Sequence, residues 1–103
     1  MTRGLTAEEF QERAGAAEWR VGDSGATATF ATGSFARGVE FVNEIGRLAE
    51  AANHHPDVEL TYPSVTVRLI THDEGDTVTD KDASLAAQIS AAASRLGAGA
   101  TGA

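Results

Sequence analysis

The sequence predicts an α+β domain in which a four-stranded antiparallel sheet carries helices packed on one face. Two pairs of segments alternate between apolar and polar residues, which is typical of antiparallel strands joined in hairpins. A long segment of helical periodicity separates the two pairs, and capping signals predict a further helix at either end. The predicted order is therefore α-β-β-α-β-β-α, and helices on one face of the sheet bury the apolar side of every element.

Local signals predict the first helix and the first hairpin. The sequence Thr-Ala-Glu-Glu at residues 6–9 has the form of a capping box, which predicts a short helix over 7–14. Apolar and polar residues alternate over 19–21 and over 26–30, on either side of the turn sequence Gly22-Asp23-Ser24-Gly25. These two segments are expected to pair as the first hairpin.

The strongest helical pattern extends from Phe35 to Asn53, with Ser34 as its predicted N-cap. Pro56 ends this pattern, because the residue before a proline avoids helical backbone angles. Residues 58–62 and 65–69 then alternate on either side of a proline-serine turn and are rich in β-branched side chains. This pattern predicts the second hairpin.

The last helix and the tail complete the chain. Thr79 is the predicted N-cap of this helix. The apolar residues that share one of its faces are Leu85, Ile89, Ala92 and Leu96. Residues 97–103 consist only of Gly, Ala and Thr, and we expect them to be disordered because they have nothing to bury. A chain of 103 residues is long enough for a single domain, which we place at 1–96.

Composition narrows the classes of function. The net charge is −7, from 15 acidic and 8 basic residues without a basic cluster, which argues against binding to nucleic acid or to an anionic membrane. The chain has no cysteine, so it can form neither a disulfide framework nor a thiolate metal site. Neither a signal-peptide pattern nor an apolar run of about 18 residues is found, and we expect a cytoplasmic protein.

The chain contains three histidines, and they fall close together in the sequence. His54 and His55 are adjacent at the end of the long predicted helix, and His72 closes the fourth predicted strand. An imidazole can give or take a proton near neutral pH, and a carboxylate within reach can fix its tautomer. Glu50 lies four residues before His54 on the same predicted helix face, and Asp82 lies near the start of the last helix. These residues could surround a ligand with proton donors and acceptors, or the histidines could simply cap a helix end and a strand end.

A longer pattern connects these residues. It consists of Glu50, three residues, His54-His55-Pro56, five residues, Tyr62, nine residues, His72 and a downstream Asp82. This pattern resembles the signature of the pterin-4a-carbinolamine dehydratase family. Trp19, the helical pattern from residue 35, and the sequences Thr71-His72-Asp73 and Lys81-Asp82 are also similar to the family. The resemblance covers the chain from about Leu5 to Leu96.

The resemblance implies an enzyme that removes water from 4a-hydroxytetrahydrobiopterin to give quinonoid dihydropterin, without a cofactor or a metal. It implies that His54, His55 and His72 flank the substrate, with His54 or His72 as the general acid and His55 mainly binding. Glu50 and Asp82 would support the substrate or the histidines. Tyr62 matches the family pattern, although packing at a strand end is the alternative role for this residue.

The loop after His72 departs from the family pattern. The family has a run of the Gly-Gly-Leu-Thr type, whereas this chain has the sequence Gly-Asp-Thr-Val-Thr at 75–79 and is one residue longer before Lys81. Asp80 is therefore an alternative candidate for the position of Asp82. Helix capping is an alternative role for either carboxylate.

Strand alternation leaves the direction of His72 open. Val65, Val67 and Leu69 share one face, so strict alternation places His72 on the opposite face with Ile70. Either the site opens on the sheet face away from the helices, or the strand twists outward at its end.

Two further alternatives concern the class of function. A zinc site at the adjacent histidines is disfavoured, because successive side chains diverge on a regular backbone. The resemblance also admits a non-enzymatic dimerisation or assembly module on the same fold. In either case the alanine-rich last helix favours pairing with another helix, and we expect a homodimer or a homotetramer.

Overall fold

The computed structural model describes residues 4–15, 18–72 and 77–100. Within these ranges the chain forms α1 (Ala7–Ala14), β1 (Arg20–Gly22), β2 (Gly25–Ala31), α2 (Phe35–Ala52), β3 (Asp57–Thr61), β4 (Ser64–Leu69), α3 (Asp80–Arg95) and β5 (Gly99–Ala100). The predicted order α-β-β-α-β-β-α is confirmed, and β5 follows it. Among the described residues, no helix is long and apolar enough to cross a membrane.

The sheet joins the two predicted hairpins through their second strands. The strand order is β1-β2-β4-β3, and each neighbouring pair is antiparallel. The pairing of β2 with β4 begins at Ala26 opposite Leu69 and ends at Ala31 opposite Ser64. Because β4 lies between β2 and β3, the chain that leaves it at Leu69 emerges from the interior of the sheet.

The core lies between one face of the sheet and the helices. The inward residues of β2 and β4 are buried and alternate with partly exposed ones, as the sequence predicts. These inward residues are Ala26, Ala28, Phe30, Val65, Val67 and Leu69. The rings of Phe10, Trp19, Phe30 and Phe41 meet edge to face, with centroids 5.2 to 6.4 Å apart. This row of rings connects α1, the sheet and α2.

Helix ends follow the capping chemistry of the sequence. The Glu9 amide donates to Thr6 Oγ1 at 3.1 Å, and the Thr6 amide donates to Glu9 Oε1 at 2.9 Å, which is the predicted capping box. Ser34 accepts a hydrogen bond from the Arg37 amide at the start of α2. At the other end, Asn53 adopts the left-handed conformation with φ 51°, so α2 ends one residue before its predicted limit.

The prediction that 97–103 is disordered is wrong for its first residues. Gly97 reverses the chain with φ 74°, Ala98 is buried, and β5 pairs with the end of β2. This pairing satisfies backbone groups on a stretch of β2 that lies beyond the end of β1, which the composition of the tail does not reveal. Residues 101–103 lie outside the described residues, and the domain boundary at residue 96 stays a prediction.

Candidate active site

All three histidines of the chain line the same open cleft, which has a volume of about 310 Å³. The cleft lies where the end of α2, the chain beyond β4 and the first turn of α3 come together. The lining residues are Asn53, His54, His55, Ile70, His72 and Lys81. Its volume lies at the lower end of the range usual for small-molecule sites.

His54 is held by a buried carboxylate at the back of this cleft. His54 Nε2 lies 2.5 Å from Asp82 Oδ1, and the Asp82 side chain is fully buried. The other oxygen, Asp82 Oδ2, accepts hydrogen bonds from the Thr71 hydroxyl at 2.8 Å and from the Thr79 amide at 2.9 Å. A carboxylate removed from water needs such donors in place of its hydration shell.

This arrangement fixes the proton on one nitrogen of His54. An ionised carboxylate only accepts hydrogen bonds, so Nε2 must carry the proton that points at Asp82. Nδ1 of the same ring is then the nitrogen left to exchange a proton with a ligand. An imidazole whose tautomer and orientation are set by a carboxylate is the usual form of a general acid or base.

Glu50 meets His55, whereas the sequence places it on the same helix face as His54. Glu50 Oε2 lies 2.7 Å from His55 Nε2, and both side chains are more than half exposed. The expected pairing fails because α2 ends before His54, and the left-handed Asn53 turns the chain. His54 is thereby directed inward to Asp82, and His55 stays with Glu50 at the rim.

The direction of His72 follows from continued alternation beyond β4. Thr71 is fully buried and reaches Asp82, whereas Ile70 and His72 on either side of it line the cleft. Backbone hydrogen bonds of 2.9 and 3.2 Å between Thr71 and Thr77 hold this segment extended. Because successive side chains of an extended segment point to opposite sides, Thr71 points into the core while Ile70 and His72 point into the cleft.

The two candidate carboxylates of α3 have different partners. Asp80 is exposed and forms an ion pair of 3.0 Å with Arg13 on α1. Asp82 is the one that reaches His54, and its hydrogen bond from the Thr79 amide also caps the helix. The longer loop thus leaves Asp82 within reach of the cleft, and residues 73–76 of that loop lie outside the described residues.

Tyr62 is not among the described residues that line this cleft, and its predicted place in the site stays a prediction. Its side chain is 70% exposed in the turn between β3 and β4. Pro56 and the five residues of β3 separate it from His55, and β3 alone spans about 16 Å of extended chain. Because the residues between His55 and Tyr62 include the extended strand β3, Tyr62 lies at the far end of that strand from the histidines.

Sequence reasoning misses some of the surroundings of the histidines. Asn53 and Ile70 line the cleft, and Thr71 binds Asp82. Their only signal in the sequence is proximity, because Asn53 and Thr71 are each next to a histidine and Ile70 is two residues before His72. Lys81 also lines the cleft, beside the carboxylate that holds His54.

The fold and the cleft define a class of small α+β proteins with an imidazole-lined site at the end of an antiparallel sheet. Comparison with known sequences gives the family: residues 3–92 match the description pterin 4 alpha carbinolamine dehydratase. The chain belongs to this family, which confirms the resemblance seen in the sequence.

Relatives from several bacteria carry the name pterin-4-alpha-carbinolamine dehydratase as a provisional assignment. The chain is 38% identical over 89 residues to one from Chloroflexus aurantiacus, covering 86% of this chain and 95% of the relative. It is 40% identical over 91 residues to one from Nostoc punctiforme, covering 87% and 97%. The chain therefore corresponds to nearly the whole length of these relatives.

Two solved structures have a similar fold. A transcriptional coactivator/pterin dehydratase from Brucella melitensis superposes with a TM-score of 0.78 at 30% identity, covering 88% of this chain and 99% of that one. A pterin dehydratase-like protein described as a RuBisCO assembly factor in the alpha-carboxysome gives a TM-score of 0.60 at 24% identity, covering 74% and 89%. The second similarity concerns the fold alone.

Proposed function

We propose that the protein dehydrates a 4a-hydroxytetrahydropterin, such as 4a-hydroxytetrahydrobiopterin, to quinonoid dihydropterin by histidine general acid–base catalysis. The observation that carries this proposal is the cleft lined by His54, His55 and His72, in which Asp82 orients His54. Membership of the dehydratase family and the provisional names of the relatives support the same reaction.

The reaction requires two proton transfers at one ligand. The C4a–O bond breaks while the lone pair of N5 forms the C4a=N5 double bond. The departing hydroxyl takes up one proton and leaves as water, and N5 gives up its own proton, so atoms and charge balance. A cleft with more than one imidazole can provide an acid for the hydroxyl and a base for N5.

His54 and His72 are the proposed proton-transfer residues. The hydrogen bond of His54 Nε2 to Asp82 leaves its Nδ1 for the ligand, and His72 extends into the cleft from the chain beyond β4. Either of them can be the acid while the other acts as the base. His55, which is half exposed and paired with Glu50 at the rim, has the proposed role of binding the pterin.

A dehydration assay with synthetic 4a-hydroxytetrahydropterin tests this proposal. We expect His54→Ala, His55→Ala and His72→Ala each to lower the rate at least about tenfold, because general acid–base catalysis contributes about two to four orders of magnitude. Melting temperatures should change little, which separates loss of chemistry from loss of fold.

The control variant is Phe35→Ala. Phe35 is exposed at the first residue of α2, about 25 Å along the helix from its last residue, and its replacement should leave the rate unchanged. Equal rates for the wild type and the triple histidine variant would refute the enzymatic proposal. The non-enzymatic assembly module would then be the better hypothesis, and in either case the homodimer or homotetramer and the cytoplasmic location stay predictions.

A further inference from the structure

Two buried threonine hydroxyls lie behind the carboxylate that holds His54. Thr71 Oγ1 is 2.8 Å from Asp82 Oδ2 and also 2.8 Å from Thr79 Oγ1. Thr71 is fully buried and Thr79 is 2% exposed, so neither hydroxyl can exchange its partner for bulk water. Buried hydroxyls of this kind are costly to leave unpaired, and their hydrogen bonds are correspondingly well defined.

The direction of each hydrogen bond follows from the protons available. Because the carboxylate only accepts, the Thr71 proton points at Asp82 Oδ2. The Thr71 oxygen then offers only lone pairs to its neighbour, so the Thr79 hydroxyl must donate to it. The donors thus form a chain from Thr79 through Thr71 to Asp82, and aligned hydrogen bonds of this kind strengthen one another.

We infer that Thr71 is a positioning residue for His54 and acts through Asp82. The inference rests on the proposed function, because it assigns a role within the same site. The Thr71 hydroxyl and the Thr79 amide bind the same oxygen of Asp82 and so restrain rotation of the carboxylate. The other oxygen is therefore kept in line with His54 Nε2, and Nδ1 keeps its orientation in the cleft.

A merely structural threonine would behave differently. If Thr71 only filled space or stabilised the start of α3, removal of its hydroxyl would lower the stability and leave the hydrogen bond between His54 and Asp82 unchanged. The discriminating observable is therefore the Nε2 proton of His54, which NMR detects directly in 15N-labelled protein. Its chemical shift and its rate of exchange with water report this hydrogen bond without any substrate.

The experiment compares three variants with the wild type. Thr71→Val removes the hydroxyl at nearly constant volume, and Thr71→Ser retains it. Thr32→Val is the matched control, because Thr32 is also buried but its hydroxyl bonds to the carbonyl oxygens of Ser34 and Pro63. Each variant is measured by NMR at His54 and by kcat and KM in the dehydration assay.

We expect Thr71→Val to lower kcat about tenfold with KM changed less than about twofold, and to speed water exchange of the His54 Nε2 proton at least about tenfold. Thr71→Ser and Thr32→Val should keep the wild-type resonance and most of the wild-type kcat. The inference is overturned if Thr71→Val keeps the wild-type resonance and kcat while its melting temperature falls.

Two outcomes keep this test separate from that of the proposed function. If Thr71→Val does not fold, Thr71→Ser decides alone, and loss of the Nε2 resonance despite the retained hydroxyl overturns the inference. If the wild type shows no turnover, the proposed function fails, and the NMR comparison still decides whether Thr71 positions His54.

Discussion

The carboxylate of Asp82 has no access to solvent, and its hydrogen-bond donors decide what it can do. One oxygen binds Thr71 and Thr79, and the other binds His54. A buried charge is tolerated when such donors replace water, so the carboxylate is both a cap of α3 and a fixed partner for the imidazole. Asp82 therefore stabilises the start of α3 and also orients the imidazole of the proposed catalytic residue His54.

Asp82→Asn tests this dual role at the residue scale. The amide has one acceptor oxygen and one donor nitrogen. If its oxygen keeps the donors Thr71 and Thr79, its nitrogen faces His54 Nε2, which must then accept, and the ring proton moves to Nδ1. We expect kcat in the dehydration assay to fall about a hundredfold, because the wrong nitrogen is protonated.

The matched control for this substitution is Asp80→Asn. Asp80 is also an aspartate and lies two residues before Asp82, but its side chain is exposed and pairs with Arg13. We expect this variant to keep the wild-type kcat, and 15N chemical shifts should report the tautomer of His54 in both proteins. A greater loss of kcat in Asp80→Asn than in Asp82→Asn would contradict the assignment.

Some residues of the candidate site are predictable from the sequence, and others depend on geometry. The approach of His54, His55 and His72 to one another follows from a helix end and a strand end, and their catalytic role stays a prediction. The partner of Glu50 is not predictable in this way, because it depends on the residue at which α2 ends. Thr71 is part of the family pattern, but its contact with Asp82 is not predictable, because a threonine at the end of a strand is ordinary until its partner is known.

At the scale of elements, the C-terminus of α2 determines which imidazole meets which carboxylate. The His54 amide donates to Ala49 O at 3.1 Å and the Asn53 amide donates to Glu50 O at 3.2 Å, with Asn53 in the left-handed conformation. These are the hydrogen bonds of a Schellman motif, which ends a helix with a defined change of direction. The motif sends His54 toward α3 and leaves His55 at the rim.

Gly46 and Gly15 allow a prediction at the scale of elements, because the same substitution to alanine is made at two positions that differ in backbone conformation. An added Cβ at Gly46 in α2 or at Gly15 after α1 would meet no atom within 4 Å. Gly46 is helical, so Gly46→Ala should raise the free energy of unfolding by about 0.5–1 kcal/mol. Gly15 has φ 64°, so Gly15→Ala should lower it by about 1 kcal/mol.

Urea denaturation followed by far-UV circular dichroism measures both changes. Each variant serves as the control for the other, because the residue type, the substitution and the open space are the same. Equal shifts of the denaturation midpoint in the same direction would show that backbone conformation does not decide the effect at these positions.

Element positions are predictable where the signals are local. The helix predicted over 7–14 is found at Ala7–Ala14, because a capping box and a left-handed glycine define its ends within the segment itself. β5 is not predictable, because its pairing depends on β2, far away in the sequence. Residues 97–100 carry no periodicity that would indicate this partner.

At the scale of the molecule, the row of aromatic rings forms a continuous link between the layers. Phe30 lies in its middle, with its ring centroid 6.1 Å from that of Trp19 and 5.2 Å from that of Phe41. This link supports the sheet from which β4 continues to Thr71 and His72. The cleft therefore depends on a core that contains none of its residues.

Phe30→Ala tests how much the whole molecule depends on this row. Phe30 is 1% exposed, so its truncation should leave a cavity and lower the free energy of unfolding by about 3–5 kcal/mol. Phe35→Ala removes the same atoms from a side chain that is 53% exposed, and should change the stability by less than about 0.5 kcal/mol. Urea denaturation of both variants, followed by circular dichroism, measures the difference. Because a domain is stable by only about 5–15 kcal/mol, Phe30→Ala should also populate unfolded protein on modest heating, and equal midpoints for the two variants would contradict the position of the core.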